Sequence, residues 1–306
     1  MSAIKIDIQE RKGKMRLSEI LQDYPDENVV EITNEKDFSR FSVTTAVSSE
    51  CCCVFVDLKR YIKTIPQAAA MVITTPEIAK GLDSKEYGIC ISENPKITYF
   101  RAFRATAASM VKPDFPTEID STARIGKYVN ISGNNVKIGK NVTIEDFVTI
   151  SDNVYVGDNV VVRAGAKLGI EDYNYYEDNE RLIHIKHYGN LIIESAAEIG
   201  YNSVIGKALY PNDSTIIGEG TQIAGACLIG HDCKLDKSVM VYAGTVVGGF
   251  CTIGKGSQLK MGSTIKNRIT IGKNAQIGMG AAVVYDVSDG ETVFGNPAKR
   301  MIVPKL

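Results

Sequence analysis

The sequence has no tryptophan and only three histidines, His184, His187 and His231, so imidazole chemistry has few places to reside. It also has almost no net charge, with 35 Lys and Arg against 36 Asp and Glu leaving −1. Phosphate backbones demand a basic face, so nucleic acid is not an expected partner. No apolar run reaches the roughly 20 residues of a membrane span. The opening MSAIKIDIQERKGK does not read as a secretory signal. A cytoplasmic chain with no membrane span is expected. Cysteine is present, but its seven copies show no spacing that resembles a zinc or disulfide framework, so no metal is assigned.

What the sequence does have is a period of six. Ile217, Ile223, Ile229, Leu235, Val241, Val247, Ile253, Leu259, Ile265, Ile271, Ile277 and Val283 share one register without a slip. The fifth place of each hexad is mostly small, as at Thr221, Cys227, Cys233, Thr245, Cys251, Ser257, Ser263, Ala275 and Ala281. The second place is often Gly, as at Gly218, Gly230, Gly248, Gly254, Gly272 and Gly278. A fixed hexapeptide period marks a parallel β-helix. Place five and the next place one are two residues apart, so both point to one side of a strand. One small and one branched side chain together fill a narrow triangular prism. Glycine follows at the corner, where a Cβ is a handicap. Cys227, Cys233 and Cys251 then read as core filler.

The fold class expected is mostly β: a parallel β-helix preceded by a small α/β domain. Residues 1–112 form that domain. LSEILQDY is a short amphipathic helix, and CCCVFVDL, AAAMVITT and YGICIS are strands. PEIAKGL is a short helix with Pro76 at its start, and a longer helix runs from Pro95 to about Val111. Residues 113–118, with Pro113 and Pro116, are a linker. The β-helix spans 119–288, starting Ile119, Ile125, Ile131 and then, one residue out of step, Ile138, Ile144, Ile150, Val156, Val162 and Leu168. A polar, aromatic break at about 169–190 has no sixfold register, and its LIHIKHYG alternation suggests a hairpin. Loops that leave a regular solenoid tend to carry function. The register resumes at Ile193 with Pro211 as its one misfit, and residues 289–306 are a C-terminal tail.

Two resemblances follow from these motifs. The prism with its closing GNPAKR, Gly295 to Arg300, resembles the left-handed β-helix acyltransferases that modify sugars from acyl-CoA. A closer one covers nearly the whole chain. The order of α/β domain, prism, break ending HIKHYGNLII, AEIG and IGEGTQIAGACLIGHDCKL is similar to the UDP-3-O-acylglucosamine N-acyltransferases of lipid A synthesis. VFVDLKRY and ENP match that family's uridine-binding domain. Phe55 and Tyr61 match its nucleobase contacts, but Leu58 stands where the family has Asn. Gly206 and Lys207 replace an Asp-Arg pair, and Ala224 and Gly225 replace an Asp-Asn pair. The family's C-terminal helices have no counterpart. The resemblance implies the left hand, a homotrimer, no permanently bound cofactor, and acyl-CoA or acyl carrier protein as co-substrate.

Acyl transfer to an amine needs a positioned amine, a base for its proton, and support for a tetrahedral oxyanion. The thioester is already activated, so no enzyme nucleophile is required. His231 occupies the third place of its hexad, past a corner and outside the prism, with an ordinary pKa suited to proton abstraction. It aligns with the family's catalytic histidine. Three hexads make a coil of about 18 residues, so residues that far apart stack. Gly249 and Asn267 then lie above His231 and Asp213 lies below it. Gly249 offers a bare backbone amide for the oxyanion, at the position where the family has its oxyanion glycine. Asp213 and Asp232 are candidates to orient the imidazole. His187, matched in relatives, contacts a sugar or phosphate, or braces the loop. Lys266, Arg268, Lys299 and Arg300 are candidates for CoA phosphates. Phe55 and Tyr61 either sandwich a nucleobase or pack in the core.

The activity expected is acyl transfer to the amine of a nucleotide-linked amino sugar. Its rivals are the lipid A enzyme itself, a non-catalytic sugar-nucleotide-binding trimer, and a zinc site like that of the γ-class carbonic anhydrases. The last is disfavoured because His184 and His187 read as hairpin residues rather than corner residues.

Overall fold

The computed structural model describes residues 13–44, 50–111, 113–297 and 299–300. Most of the opening peptide, part of the expected N-terminal domain and residues 301–306 of the expected tail lie outside the described residues. The described chain forms two compact units, one of residues 13–111 with Tyr173–Lys186, the other of residues 113–172 and 187–300.

The first unit is a five-stranded sheet: β1 (Val29–Thr33), β2 (Arg40–Phe41), β3 (Cys52–Val56), β4 (Ala69–Thr74) and β5 (Gly88–Ser92), in the order β1-β5-β4-β3-β2. Only β1 is antiparallel to its neighbour. The apolar runs CCVFV and AAMVIT are almost wholly buried, as interior parallel strands covered on both faces should be. The helices α1 (Leu17–Asp23), α2 (Pro76–Ala79) and α3 (Pro95–Met110) match the sequence reading. Thr75 caps α2 by accepting the Ile78 N–H, with Pro76 in the first turn. β1 and β2 were not anticipated: VVEIT has no clean alternation, and β2 is two residues long.

The break in the hexad register does hold a hairpin. Tyr175–Asp178 pairs antiparallel with Arg181–His184. Its side chains explain why it groups with the first unit. Tyr176 stacks on Phe100 of α3 at 5.4 Å. Arg101 grips Asp178 with two bonds of 2.9 and 2.7 Å, and Arg104 reaches the Tyr176 hydroxyl at 3.0 Å. A bidentate guanidinium–carboxylate pair is among the stronger polar contacts available.

The second unit is the expected left-handed parallel β-helix. Its walls are one 10-stranded and two 8-stranded sheets. Successive coils pair 18 residues apart, as Gln222 with Met240 and Met240 with Gln258. Two spacings differ. Val154 pairs with Leu191 across the break, and Glu198 pairs with Gln222, 24 residues on, so one coil carries an extra hexad between Gly206 and Ser214. Beyond Val283, Thr292–Phe294 still pairs with Gln276–Ile277, so the wall runs into the segment read as tail.

Every aliphatic from Ile138 onward in the hexad series is buried. The small fifth-place residues fill the remaining space and satisfy the wall. Thr221 donates to Asp236 O at 2.9 Å, Cys233 to Gly248 O at 3.1 Å, Cys251 to Lys266 O at 3.2 Å and Ser257 to Gly272 O at 2.6 Å. The prism thiols are thus packed donors, which accounts for their burial. The fourth place turns the corner with positive φ. Asn and Gly dominate it, as at Asn159, Asn202, Gly220 and Gly256, because they tolerate that conformation.

Candidate functional site

Three consecutive corner places break that rule: Asp232 (φ 57°), Phe250 (φ 61°) and Arg268 (φ 65°). Non-glycine residues in this region are uncommon, a bulky one is strained, and such residues cluster at functional sites. The column begins beside His231. The backbone confirms the expected stacking, since Phe250 N–H donates to His231 O at 2.8 Å and Arg268 N–H to Gly249 O at 2.9 Å. The Phe250 ring meets the His231 ring edge-on at 4.8 Å, and the Arg268 guanidinium lies 5.0 Å over Phe250.

Asp232 holds the imidazole. Its Oδ2 lies 2.8 Å from His231 Nδ1 and also accepts the Leu209 N–H at 2.9 Å. Asp232 N–H in turn donates to Thr215 Oγ1 at 2.8 Å. An ionised carboxylate only accepts, so Nδ1 carries the proton and Nε2 keeps its lone pair. A histidine in that tautomer is a ready base. Asp213, the other orienting candidate, sits at the end of the extra hexad, where its carbonyl accepts the Asn190 N–H. Asp172 was missed: its Oδ2 accepts the His231 N–H at 3.3 Å.

Two sequence expectations need correction. His231 was read as standing in the open outside the prism, yet it is only 9% exposed. The residues around the corner wall it in: Phe250, Asp232, Gly249 and His187. His187 was read as a hairpin residue, but it belongs with the prism unit, 1% exposed, its ring centroid 5.0 Å from that of His231. The hairpin closes one residue earlier in the compact division, and the chain re-enters at the site. His184 does lie on the hairpin, exposed, with its ring 5.1 Å from Tyr175. Among the described residues no group of three or more His, Cys, Asp or Glu is arranged to hold a metal.

Gly249 fits tightly against the base. A Cβ there would fall 2.6 Å from His231 Nε2 and 2.9 Å from Cδ2. Only glycine leaves the imidazole where it is. Asn267 and Lys266 lie exposed on the next coil. Lys299 and Arg300 form a strand at the far end of the 10-stranded wall. Five strand steps separate it from Gln222–Ile223 of the His231 coil, on the order of 24 Å at ~4.8 Å per step. Arg300 pairs there with Glu291 at 3.2 Å. The four basic candidates are therefore not gathered at one place. Phe55 and Tyr61 are also separated. Phe55 packs on Tyr99 and Phe100 at 5.0 and 5.9 Å, whereas Tyr61 packs against the cluster containing Cys52, Val54 and Val56. Strand alternation puts those residues on opposite faces of the sheet.

Burial lowers the His187 pKa from 6.5 to about 4, and the neighbouring His231 pushes the same way. Its Nδ1 lies 3.1 Å from Lys207 O, a carbonyl that can only accept, so Nδ1–H donates. The ring is neutral at neutral pH. The unfolded chain binds this proton near pH 6.5 and the folded chain only near 4. Between those values the unfolded state holds more protons, so stability rises with pH and is fully present above the window. Wild type should be about 2 kcal/mol less stable at pH 5 than at pH 8 on this account. Chemical denaturation at the two pH values checks it, and His187→Gln should remove that part of the difference.

The fold and site define a hexapeptide-repeat prism carrying a carboxylate-held imidazole. Residues 135–169 match the family model described as bacterial transferase hexapeptide (six repeats). The chain is similar to UDP-3-O-acylglucosamine N-acyltransferase 1 of Francisella tularensis subsp. holarctica, 30% identical over 222 residues, covering 61% of this chain and 62% of that protein. It is also similar to UDP-3-O-acylglucosamine N-acyltransferase of Rhizobium johnstonii, 32% identical over 83 residues, covering 27% of this chain and 23% of that one. Among solved structures, Francisella novicida UDP-N-acetylglucosamine acyltransferase aligns with a TM-score of 0.55 and 25% identity, over 62% of this chain and 66% of that one. The chain thus spans about 62% of the length of the first of these curated relatives. These matches bear out the resemblance to the hexapeptide-repeat acyltransferases.

Proposed function

We propose that this protein is an N-acyltransferase that moves an acyl group from a thioester, acyl-CoA or acyl carrier protein, to the amine of a nucleotide-linked amino sugar. The observation that carries the reading is the Asp232–His231 pair, with Nε2 directed at the bare backbone of Gly249. The printed names of the relatives, acyltransferases on UDP-linked glucosamine sugars, support the substrate class. The amine nitrogen attacks the thioester carbonyl while His231 Nε2 takes its proton. Asp232 stabilises the imidazolium that forms, as the third member of a relay holds its histidine. The Gly249 N–H is the donor for the oxyanion. Collapse of the tetrahedral species expels the thiolate, which is reprotonated by the imidazolium. The net change is amide plus free thiol.

Because one prism offers a single wall, a second copy supplies the other side of the acyl-donor groove, as in a homotrimer. Arg268, stacked on Phe250 one coil beyond the base, is the basic candidate best placed for a donor phosphate. A second reading, the lipid A enzyme acting on UDP-3-O-acylglucosamine, is favoured by the names of the curated relatives. Purified protein should be offered acetyl-CoA or a hydroxyacyl carrier protein with a panel of amino-sugar nucleotides. Thiol release with an amino-sugar nucleotide that depends on His231 is expected. Turnover restricted to hydroxyacyl carrier protein and UDP-3-O-acylglucosamine selects the second reading. No His231-dependent release with any pair overturns both.

A further inference from the structure

The extra hexad, residues 207–213, does not follow the coil. It lies along the residues that re-enter from the hairpin. Tyr188 N–H donates to Leu209 O at 2.9 Å, Gly189 N–H to Ala208 O at 3.0 Å, Ala208 N–H to Asn190 O at 3.1 Å and Asn190 N–H to Asp213 O at 2.8 Å. Gly189 permits this approach, since a Cβ there would lie 2.6 Å from Tyr210 O and 2.7 Å from the Ala208 side chain. Ala208, Leu209 and Tyr210 are buried in consequence. The segment's remaining bonds go to the site. Lys207 O takes the His187 Nδ1–H, and the Leu209 N–H takes Asp232 Oδ2. One seven-residue stretch thus touches both the carboxylate that holds the base and the second histidine beside it.

Its root is a buried cation. Lys207 is 2% exposed, and its Nζ reaches Asp152 Oδ1 at 2.8 Å. Lysine is almost never buried unless paired. Losing one partner of such a pair is costly because the other is left uncompensated. The prism itself has no need of the segment, since coils on the C-terminal side close with 18 residues.

We propose that residues 207–213 are a positioning strap for the reaction, rooted by the Lys207–Asp152 ion pair, that sets the orientation of Asp232 and the tautomer of His187. Lys207 and Asp152 are positioning residues, acting through the strap rather than on substrate. The proposal rests on His231 being the base, and it extends that reading to residues outside the dyad. His187 faces His231, Asp232 and Asp172 as charged or titrating neighbours, with Lys207 presenting its carbonyl. Losing the root should let the carbonyl withdraw and the His187 ring turn.

The test is imidazole ¹⁵N NMR on the full-length protein, wild type beside Lys207→Met and Asp152→Asn. In wild type, His187 should be protonated at Nδ1 and stay neutral down to about pH 4. In either variant the Nδ1-protonated form should be lost and titration should move up toward the ordinary histidine range. Turnover should show a fall of about 10- to 100-fold in kcat with little change in KM, the size expected for misplacing a catalytic group by about an ångström. Asp152→Asn serves if Lys207→Met fails to fold, because it leaves the lysine in place and changes a half-exposed residue. Folded variants with the wild-type His187 tautomer, titration and kcat overturn the strap. The NMR readout does not use activity, so a strap that moves His187 in a protein indifferent to His231→Ala would sink the base assignment and leave the strap standing.

Discussion

Replacing His231 with Ala should lower kcat by about 10²- to 10⁴-fold, the usual contribution of a positioned general base. The loss arises because a sugar ammonium cannot attack a thioester until its proton has gone. No other imidazole substitutes: His187 offers a neighbouring ring, but its basicity is depressed to about 4, so it cannot take up that proton near neutrality. Asp232→Asn is the informative companion. It keeps the shape but presents an amide N–H where the carboxylate accepted one. The ring can answer by moving its proton to Nε2, the position that must accept. A deficit for Asp232→Asn approaching that of His231→Ala, with an unchanged melting temperature, would show that the tautomer matters rather than the packing. Steady-state thiol release across pH 6 to 9 measures both. Retention of wild-type kcat by His231→Ala would remove the base from the mechanism.

Gly249→Ala should be nearly as damaging, by about 10²-fold in kcat, from a single added methyl group. Its Cβ would stand 2.6 Å from Nε2 and 3.0 Å from Cε1, inside any real contact distance. The clash cannot be relieved cheaply, because Asp232 fixes Nδ1 while the rings of Phe250 and His187 flank the imidazole at 4.8 and 5.0 Å. Either the ring is displaced from the approaching amine or the coil shifts at Gly249 and carries its amide with it. Gly133→Ala is a control, since a Cβ there meets nothing within 4 Å. Wild-type kcat in Gly249→Ala would mean that the imidazole has room to move and that this amide is not poised.

The prism was legible from sequence because one constraint repeats. Each inward place faces the same narrow space, so the aliphatic column from Ile217 to Val283 betrays itself by period alone. The stacking of His231 with Gly249 followed from the same arithmetic. The residues that complete the site were harder to find because they come from places where the period fails. Asp172 and His187 flank the excursion that holds the hairpin, and nothing in their spacing shows that both return to one corner. The strap left a single trace, Pro211 out of register, which does not reveal where Leu209 and Lys207 send their backbone bonds. Phe250 did leave a signal. An aromatic at a corner place otherwise rich in Asn and Gly is an anomaly that the hexad table contains. Phe55 and Tyr61 show the opposite hazard: motif spacing matched, while the pleat of β3 put the two rings on different faces.

The lone extra hexad also bears on how the rod comes apart. In a stack of this kind each storey leans only on the storeys directly above and beneath it, so melting advances from an end rather than everywhere at once. Ile119 and Ile125 already meet solvent at one terminus. The storey that carries Asp232 has intact neighbours on both sides, in rungs running back to Val136–Ile138 and onward to Ala282–Val283. Fraying at a terminus therefore reaches the imidazole last, and its amides should rank among the slowest in the chain to exchange with deuterium.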